Sequence, residues 1–301
     1  MTAAYPAGAG PEYLSLIREP TPADPIYQQV APAREELSPL GAEDPAGETA
    51  CSPCPRLLHR YPDRVLILAA ASCFVRCRHC MRKRLWKESV EPDRSAEMSL
   101  AGEWAKYLAA HSEVREIILS GGDPLTLADS RLEHILEELG RARPGVRFRV
   151  HSRAPVAAPS RITPRLARTL AGKGVKRLVT QFNHAREISA GAKEAVSILL
   201  RAGLQVENQA VLLRGVNDRP ETLAELFLAL PRIGVRAYYL HHPDLARGAA
   251  HFTLSAKEGW AIYQAARALV PAALVPPYVI DLPGPRPKTP VEILVIRRSH
   301  S

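Results

Sequence analysis

Three cysteines lie within eight residues of this chain, and their spacing suits an iron–sulfur cluster. Cys73, Cys77 and Cys80 form a C-x3-C-x2-C motif directly after the apolar run 65–71. A [4Fe–4S] cluster is ligated by cysteine thiolates, and three thiolates leave one of its four irons with an open coordination position. Such an iron can bind a substrate or a cofactor. The motif therefore predicts an open cluster on a loop that follows a strand.

Two alternatives for this motif are a structural zinc site and buried thiols. Structural zinc takes four tetrahedral ligands, usually from two separated pairs, and the only other pair is Cys51 and Cys54, upstream. Disulfides are disfavoured because five cysteines are an odd number and we recognise no signal peptide. We therefore expect a cytoplasmic, oxygen-sensitive protein in which Cys51 and Cys54 are incidental.

The cysteine spacing, with Phe74 after the first cysteine, resembles the radical S-adenosylmethionine (SAM) superfamily. The resemblance implies that the amino and carboxylate groups of SAM bind the open iron. A second segment, Ser120-Gly121-Gly122-Asp123, is similar to the glycine-rich SAM motif of these enzymes. Paired glycines let a backbone approach a ligand closely or adopt a positive φ. Taken alone, such a segment is most often a turn.

The composition predicts one large α/β domain with appendages. The chain has 301 residues, of which 46% are hydrophobic, and no apolar stretch approaches the roughly 20 residues needed to cross a bilayer. The net charge is +9, but the basic residues are scattered apart from short runs such as 76–87. Nucleic acid is therefore not the expected partner.

Six apolar strand candidates alternate with six amphipathic helix candidates. The strands are 65–71, 116–119, 147–151, 177–181, 205–212 and 237–240, and the helices are 100–111, 130–143, 164–172, 192–202, 220–230 and 256–269. This alternation predicts an α/β fold with a parallel sheet and right-handed crossovers. Six units favour an open (β/α)6 partial TIM barrel, with chemistry at the carboxyl ends of the strands.

The chain divides by composition into three parts. Residues 1–58 are rich in proline and alanine and predict an extended N-terminal arm with one short helix near 27–30. Residues 59–270 form the barrel, and residues 271–301 form a short C-terminal segment.

The C-terminal segment carries Lys288 in a loop with four prolines and a glycine. Pyridoxal phosphate (PLP) requires a lysine amine for its Schiff base. An isolated lysine in a loop is usually only solvated. Upstream, Arg60, Tyr61 and Arg64 offer groups suited to a phosphate ester.

Taken together, the motifs resemble the lysine 2,3-aminomutase family from about residue 24 to residue 290. The segments that carry the resemblance are HRYPDR (59–64), the cysteine triplet through Arg82, SGGD (120–123), HSR (151–153), RITP (161–164), FNH (182–184), NQ (208–209), VND (216–218), GAAHF (248–252) and KTP (288–290).

The resemblance implies roles for individual residues. Cys73, Cys77 and Cys80 would ligate the cluster, Lys288 would form the Schiff base with PLP, and Arg82 would bind the substrate carboxylate. Asp244 and Asp281 would receive the distal ammonium of lysine, although each could instead cap or start a local turn. The remaining cofactor-binding residues would be Arg60, Tyr61, Arg64, Ser120, Gly121, Gly122, Asp123, Ser152, Arg153, Asn183, His184 and Gln209.

The implied reaction is the conversion of L-lysine to β-lysine by migration of the 2-amino group. Its implied partners are an amino-acid substrate and an external electron donor such as flavodoxin or ferredoxin, and we expect a homo-oligomer. Alternatives are a glutamate or arginine 2,3-aminomutase, or a relative that supplies β-lysine for elongation factor P. A different class would be a non-catalytic iron–sulfur or zinc protein that binds RNA.

The sequence also departs from the family pattern. Many aminomutases of this family continue past the KTP segment with a cysteine-bearing tail that binds structural zinc, whereas no cysteine follows Cys80 here. Tail zinc is therefore not expected. Pro285, Arg286 and Pro287 replace the glycines that precede the lysine in free-lysine enzymes, and this shortened end resembles the elongation factor P relatives.

Overall fold

The structure is a computed structural model that describes residues 5–87, 94–284 and 286–298. A nine-stranded sheet runs through it with the strands in sequence order. The strands are β1 Leu57–Tyr61, β2 Arg64–Ala70, β3 Glu116–Gly121, β4 Arg147–His151, β5 Val175–Thr180, β6 Gln205–Val211, β7 Val235–His241, β8 Tyr278–Ile280 and β9 Thr289–Pro290. Strands β2 to β8 are parallel, whereas β1 and β9 pair antiparallel with β2 and β8.

The helices that the structure describes are α1 Pro11–Leu14, α2 Pro25–Gln28, α3 Arg94–Ala110, α4 Asp129–Ala142, α5 Ala154–Ala157, α6 Pro164–Gly172, α7 Ala190–Arg201, α8 Pro220–Arg232, α9 Ala256–Ala268 and α10 Val291–Arg298. Seven of these helices, α3 to α9, lie between successive parallel strands, whereas α1 and α2 precede β1 and α10 follows β9. Thr163, Ser189 and Ser255 cap α6, α7 and α9 by accepting hydrogen bonds from the backbone of the first turn. Within the described ranges we find no helical segment whose length and hydropathy would let it span a bilayer.

The open α/β barrel predicted from the sequence is confirmed, since the sheet order does not pair β1 with β9. All six predicted strands and all six predicted helices are present. The sequence missed the parallel strand β8, because three residues are too few to display a strand pattern. Both β8 and β9 lie within the predicted C-terminal segment 271–301 and extend the barrel sheet.

The N-terminal arm is more structured than expected. The predicted short helix is present as α2, where Asp24 accepts hydrogen bonds from the backbone N–H groups of Ile26 and Tyr27. The arm also contains α1 and the 3-10 helices Arg34–Leu37 and Thr49–Cys51. Its side chains Tyr13 and Ile26 are fully buried in the main core. The arm therefore packs against the barrel as part of one core.

Candidate active site

The carboxyl ends of the parallel strands open into a cavity of about 620 Å³. The cysteine loop after β2 and Lys288, more than two hundred positions later, both line it. Most residues singled out from the sequence lie in its wall: Arg60, Tyr61, Arg64, Cys73, Cys77, Cys80, Arg82, Ser120, Gly121, Gly122, Asp123, Ser152, Arg153, Gln209, Asp244, Asp281 and Lys288. The fold thus brings the groups assigned to three different ligands to one place.

The three thiols of the cysteine loop are free of disulfides. Burial raises the pKa of Cys73 and raises that of Cys80 to about 11. The Cys73 and Cys80 thiols therefore keep their protons until a metal displaces them, because a coordinating thiol is deprotonated by the ion. The backbone N–H of Arg82 lies 3.3 Å from the Cys80 sulfur and donates to it. The loop thus presents the donor set of a cluster with three protein ligands.

The paired glycines hold the cysteine loop against the end of β3. Gly121 has a φ of 115°, and a Cβ placed there would lie 2.4 Å from the carbonyl oxygen of Ala70. A Cβ on Gly122 would lie 2.4 Å from the carbonyl oxygen of Ser72. The Gly122 N–H donates to the Ala70 oxygen at 2.7 Å. The glycines are therefore required for close backbone packing as well as for any contact with a ligand.

Asp123 and Ser152 hold the ends of β3 and β4 together. Ser152 Oγ donates to Asp123 Oδ1 at 2.7 Å, and the Arg153 backbone N–H donates to Asp123 Oδ2 at 2.8 Å. Burial raises the pKa of Asp123 to about 6, although these hydrogen bonds oppose the shift. Both side chains thus shape the cavity wall through contacts with one another.

Arg153 connects the cysteine loop to the N-terminal arm. Its Nη1 donates to the Cys77 sulfur at 2.7 Å, and its Nη2 donates to Glu187 Oε1 at 2.6 Å. Nη2 also lies 2.6 Å from Gln29 Oε1 and 3.1 Å from the Tyr13 hydroxyl. Tyr13 and Gln29 could not be identified as partners from the sequence, because they lie in an arm whose composition suggested little structure.

Arg82 is held by a carboxylate that the sequence did not single out. Glu48, in the N-terminal arm, accepts from Arg82 Nε at 3.0 Å and from its Nη2 at 2.6 Å. Arg84 Nη2 donates to the same carboxylate at 2.5 Å. Burial alone would raise the pKa of Glu48, but the Arg82 and Arg84 guanidinium groups outweigh it and the pKa is lowered. The guanidinium of Arg82 is thereby fixed at the cavity wall.

Lys288 contacts Asp281, which is close to two further groups. Lys288 Nζ lies 2.5 Å from Asp281 Oδ2, and Arg60 Nη1 lies 3.7 Å from Asp281 Oδ1. His241 Nδ1 lies 3.6 Å from Asp281 Oδ2, but burial lowers the pKa of His241 to about 3, so this contact is not an ion pair. Burial would raise the pKa of Asp281, yet the cation of Lys288 outweighs it and the pKa is lowered.

Asp244 lies in the same wall, and no cation among the described residues lies at ion-pair distance from it. Burial and the charge of Asp281 raise the pKa of Asp244 to about 7, against the opposing effects of Lys288 and Arg82. Asp244 and Asp281 also line a neighbouring cavity of about 690 Å³. Two carboxylates, one ionised and one titrating near neutrality, thus form a single anionic patch.

Arg60 and Arg64 both lie close to the Tyr61 ring. Their guanidinium carbons are 5.8 Å and 5.3 Å from the ring centroid. Arg64 also donates two hydrogen bonds to Asp63, at 2.8 and 3.0 Å. Arg60 Nη2 donates to the Leu282 carbonyl at 2.5 Å and so joins β1 to the loop that leads to Lys288. The arrangement concentrates positive charge beside an aromatic ring.

Asn183 and His184 do not line this cavity. Asn183 is fully buried; its amide donates to Gln29 Oε1 at 2.9 Å and accepts from the Val211 N–H at 3.0 Å. His184 Nδ1 accepts from the Arg186 N–H at 3.1 Å and caps a 3-10 helix. Both side chains fix backbone behind the wall, and a cofactor contact for them stays a prediction.

Other cavity residues escaped the site assignment. His151, at the end of β4, lines the cavity, and its Nε2 is buried without a hydrogen-bond partner among the described residues. Tyr239 lies on β7 with its ring centroid 5.7 Å from Lys288 Nζ. Their positions in the sequence could have identified them, because both residues lie toward the carboxyl ends of strands, where barrel enzymes have their active sites.

Comparison with known proteins finds similarity to the Radical SAM superfamily and to L-lysine 2,3-aminomutases. The model of the Radical SAM superfamily matches residues 67–227. The L-lysine 2,3-aminomutase of Clostridium subterminale is 42% identical over 294 residues, which cover 96% of this chain and 70% of that protein. The protein of the same name from Escherichia coli K12 is 37% identical over 285 residues, covering 93% of this chain and 82% of that protein.

A solved structure supports the fold alone. Native anSMEcpe with bound AdoMet is 11% identical, with a TM-score of 0.51, and the match covers 67% of this chain and 57% of that one. The aminomutase relatives imply a [4Fe–4S] cluster, SAM and PLP as cofactors. Because these relatives are enzymes, the alternative of a non-catalytic RNA-binding protein is wrong. The chain therefore belongs to the lysine 2,3-aminomutase family of the radical SAM superfamily, and it is an isomerase.

Proposed function

We propose that this chain is a PLP-dependent enzyme that converts L-lysine to β-lysine by moving the 2-amino group to carbon 3. The observation that most supports this is the single cavity lined by the cysteine triplet and Lys288. A reaction that uses two cofactors on one substrate requires both reactive centres to face that substrate, so that the reacting atoms are held in place.

The residues present fit the cofactors. Three free thiols on one loop suit a cluster with three protein ligands. The planar guanidinium groups of Arg60 and Arg64 suit a phosphate ester, and Lys288 has a partly exposed side chain in the same cavity. When bound, the cluster and SAM would supply radical chemistry for removing a hydrogen atom from the substrate, and PLP held by Lys288 would supply the Schiff-base chemistry for the amino migration.

The chain's own residues bind the two ends of the substrate. Arg82 binds the substrate carboxylate, and Glu48 keeps its guanidinium in a fixed orientation. Asp244 and Asp281 receive the distal ammonium, because a buried ammonium is costly unless anions accept it. The same two carboxylates would repel the side chain of glutamate, so the cavity favours a diamino acid.

The N-terminal arm helps to exclude water from the reaction. Its residues Ala46, Glu48 and Cys51 form part of the cavity wall. Exclusion of water protects a reactive radical from competing hydrogen donors and strengthens the charge interactions that hold the substrate.

The reductant we propose is a flavodoxin or ferredoxin in the cytoplasm, where thiols are kept reduced. The expected homo-oligomer stays a prediction.

The test is anaerobic turnover of lysine, arginine and glutamate in separate reactions, with the β-amino acid product identified by mass spectrometry. We expect product from lysine and none from glutamate. The matched variant Lys288→Ala should retain its iron and lose all turnover. Robust glutamate turnover by an enzyme that is inactive on lysine would contradict the assignment of the two aspartates.

A further inference from the structure

We propose that His59, His111 and Glu113 form a metal site for Zn²⁺ outside the cavity. One ligand atom from each of these side chains lies within 4.8 Å of the others. Among the residues that the structure describes, this is the one group of three or more His, Cys, Asp or Glu side chains that meets this distance. None of the three lines the catalytic cavity, so the inference does not depend on the proposed function.

The three residues come from two separate parts of the chain. His59 lies in β1, directly before Arg60, whereas His111 follows the last residue of α3 and Glu113 lies in the turn that leads to β3. An ion bound here would fasten the edge strand β1 to the end of α3. This connection stabilises the strand that carries Arg60 and Tyr61 into the cavity wall.

His59 has a ring nitrogen available for an ion. Its Nδ1 lies 2.7 Å from the Tyr107 hydroxyl, which fixes the orientation of the imidazole. Its Nε2 is buried and has no hydrogen-bond partner among the described residues. Metal-binding histidines commonly use one ring nitrogen for the ion and the other for a hydrogen bond that fixes the ring. The pattern at His59 matches this arrangement.

His111 and Glu113 supply the other ligands. His111 Nδ1 lies 2.7 Å from Glu113 Oε1. The Tyr107 ring stacks on the His111 ring with a centroid separation of 4.0 Å, and the His59 and His111 rings meet at 89° with their centroids 5.5 Å apart. Tyr107 therefore contacts both imidazoles and holds them near one another before any ion arrives.

The ligand types favour a first-row divalent ion. Two imidazole nitrogens and one carboxylate oxygen are ligands that Zn²⁺ accepts at about 2.0–2.2 Å. Glu113 and His111 are partly open to solvent, so water can complete the coordination. This site is distinct from the tail zinc of longer family members, because its ligands are neither thiols nor C-terminal.

The experiment counts metals in the holoenzyme. Anaerobically purified, cluster-loaded protein is equilibrated with Zn²⁺, passed through a desalting column and analysed for zinc and iron by mass spectrometry. We expect one zinc per wild-type chain, and the loss of that zinc in His111→Ala and Glu113→Gln with iron unchanged. Tyr107→Phe should weaken zinc binding roughly tenfold, as is typical for loss of a group that orients a ligand.

Two controls make the outcome decisive. His134→Ala removes a histidine from α4 outside the group and should retain the zinc. The double variant Cys51→Ser, Cys54→Ser removes the two cysteine thiols outside the cluster loop and should also retain the zinc. Equal zinc contents in the wild type and His111→Ala would overturn the proposal, as would loss of the zinc in the double cysteine variant.

Discussion

Lys288 Nζ lies 2.5 Å from Asp281 Oδ2, so the proposed cofactor lysine and a proposed substrate carboxylate are in direct contact. Arg60 approaches the other oxygen of the same carboxylate at 3.7 Å. Asp281 thereby joins the loop that carries the lysine to the strand that carries Arg60. A substrate ammonium that binds Asp281 must enter this existing arrangement of charges.

Separate substitutions of Lys288 and Asp281 distinguish the binding of PLP from the binding of the substrate. We expect Lys288→Ala to abolish the absorption band of bound PLP, because among the residues that the structure describes no other lysine lines the cavity. Asp281→Asn should keep the band and raise the KM for lysine roughly tenfold to a hundredfold, since a hydrogen bond to a charged group contributes about 1.5–3 kcal/mol. Absorption spectra and initial rates measure the two effects.

The matched control for this pair is Lys257→Ala, which removes an exposed lysine on α9. It should leave both the band and the KM unchanged. A PLP band that persists in Lys288→Ala would assign the Schiff base to another lysine.

Asp244 gives the enzyme a pH dependence. Its pKa is raised to about 7, so the carboxyl group is largely neutral at pH 6 and largely ionised at pH 8. A substrate ammonium favours the ionised form, and the affinity for lysine should therefore rise over this interval, with a proton released on binding. In Asp244→Asn this rise should disappear, which the KM measured from pH 6 to 8 would show.

Asp244 also makes the stability of the folded protein depend on pH, and the stability falls over the interval in which the affinity for lysine rises. Between its ordinary value of 3.8 and about 7, the folded protein binds more protons at Asp244 than the unfolded chain does. The contribution of Asp244 to stability therefore falls as the pH rises through this interval. An Asp244→Asn variant whose stability and KM follow the wild-type pH profiles would show that another group titrates there.

Gly121 tests the packing of the cysteine loop. Gly121→Ala forces a side chain into a φ of 115° and against the Ala70 carbonyl. We expect it to cost about 1–3 kcal/mol for the backbone conformation and a similar amount for the overlap, and to lower the iron content. Chemical denaturation and iron analysis measure both quantities.

Gly102→Ala is the matched control, because a Cβ at this position in α3 meets nothing within 4 Å. It should be neutral or stabilise the protein by up to about 1 kcal/mol. Normal iron loading in Gly121→Ala would mean that the loop adapts to the added carbon.

The sequence predicted the barrel because strands and helices of ordinary length alternate with distinct hydrophobic periods. Strand β8 was missed because Tyr278–Ile280 is too short to display one. The cysteine triplet and Lys288 could be found because their chemistry depends on residue type and local spacing. Their placement in one cavity followed from strand order, since parallel strands direct their carboxyl ends to one rim.

Glu48 shows what could not be predicted. Its carboxylate fixes Arg82 from the N-terminal arm, and that contact depends on how the arm packs on the barrel. Nothing in the residues near Glu48 indicates this partner. Asn183 is a different case: its amide bonds to Gln29 and Val211 behind the cavity wall. The cofactor contact that its position after a barrel strand suggests stays a prediction.

Arg153 should tune the reduction potential of the cluster. Its Nη1 donates to the Cys77 sulfur at 2.7 Å while its Nη2 pairs with Glu187. In Arg153→Lys a single amine cannot make both contacts, but the positive charge beside the buried Glu187 is kept. Hydrogen bonds to cluster sulfurs help set the reduction potential of the cluster. A hydrogen bond to a charged group contributes about 1.5–3 kcal/mol. For a one-electron reduction, losing that contribution corresponds to a change in potential of about 60–130 mV.

We therefore expect the cluster of Arg153→Lys to be harder to reduce by roughly that amount. The measurement is a redox titration followed by electron paramagnetic resonance without SAM, so that the result does not depend on turnover. Tyr13→Phe is the control: it removes a hydroxyl that contacts the same guanidinium but leaves the bond to Cys77. Because the sulfur keeps its donor in that variant, its potential should stay at the wild-type value. Equal potentials in Arg153→Lys and the wild type would limit Arg153 to joining the arm to the barrel.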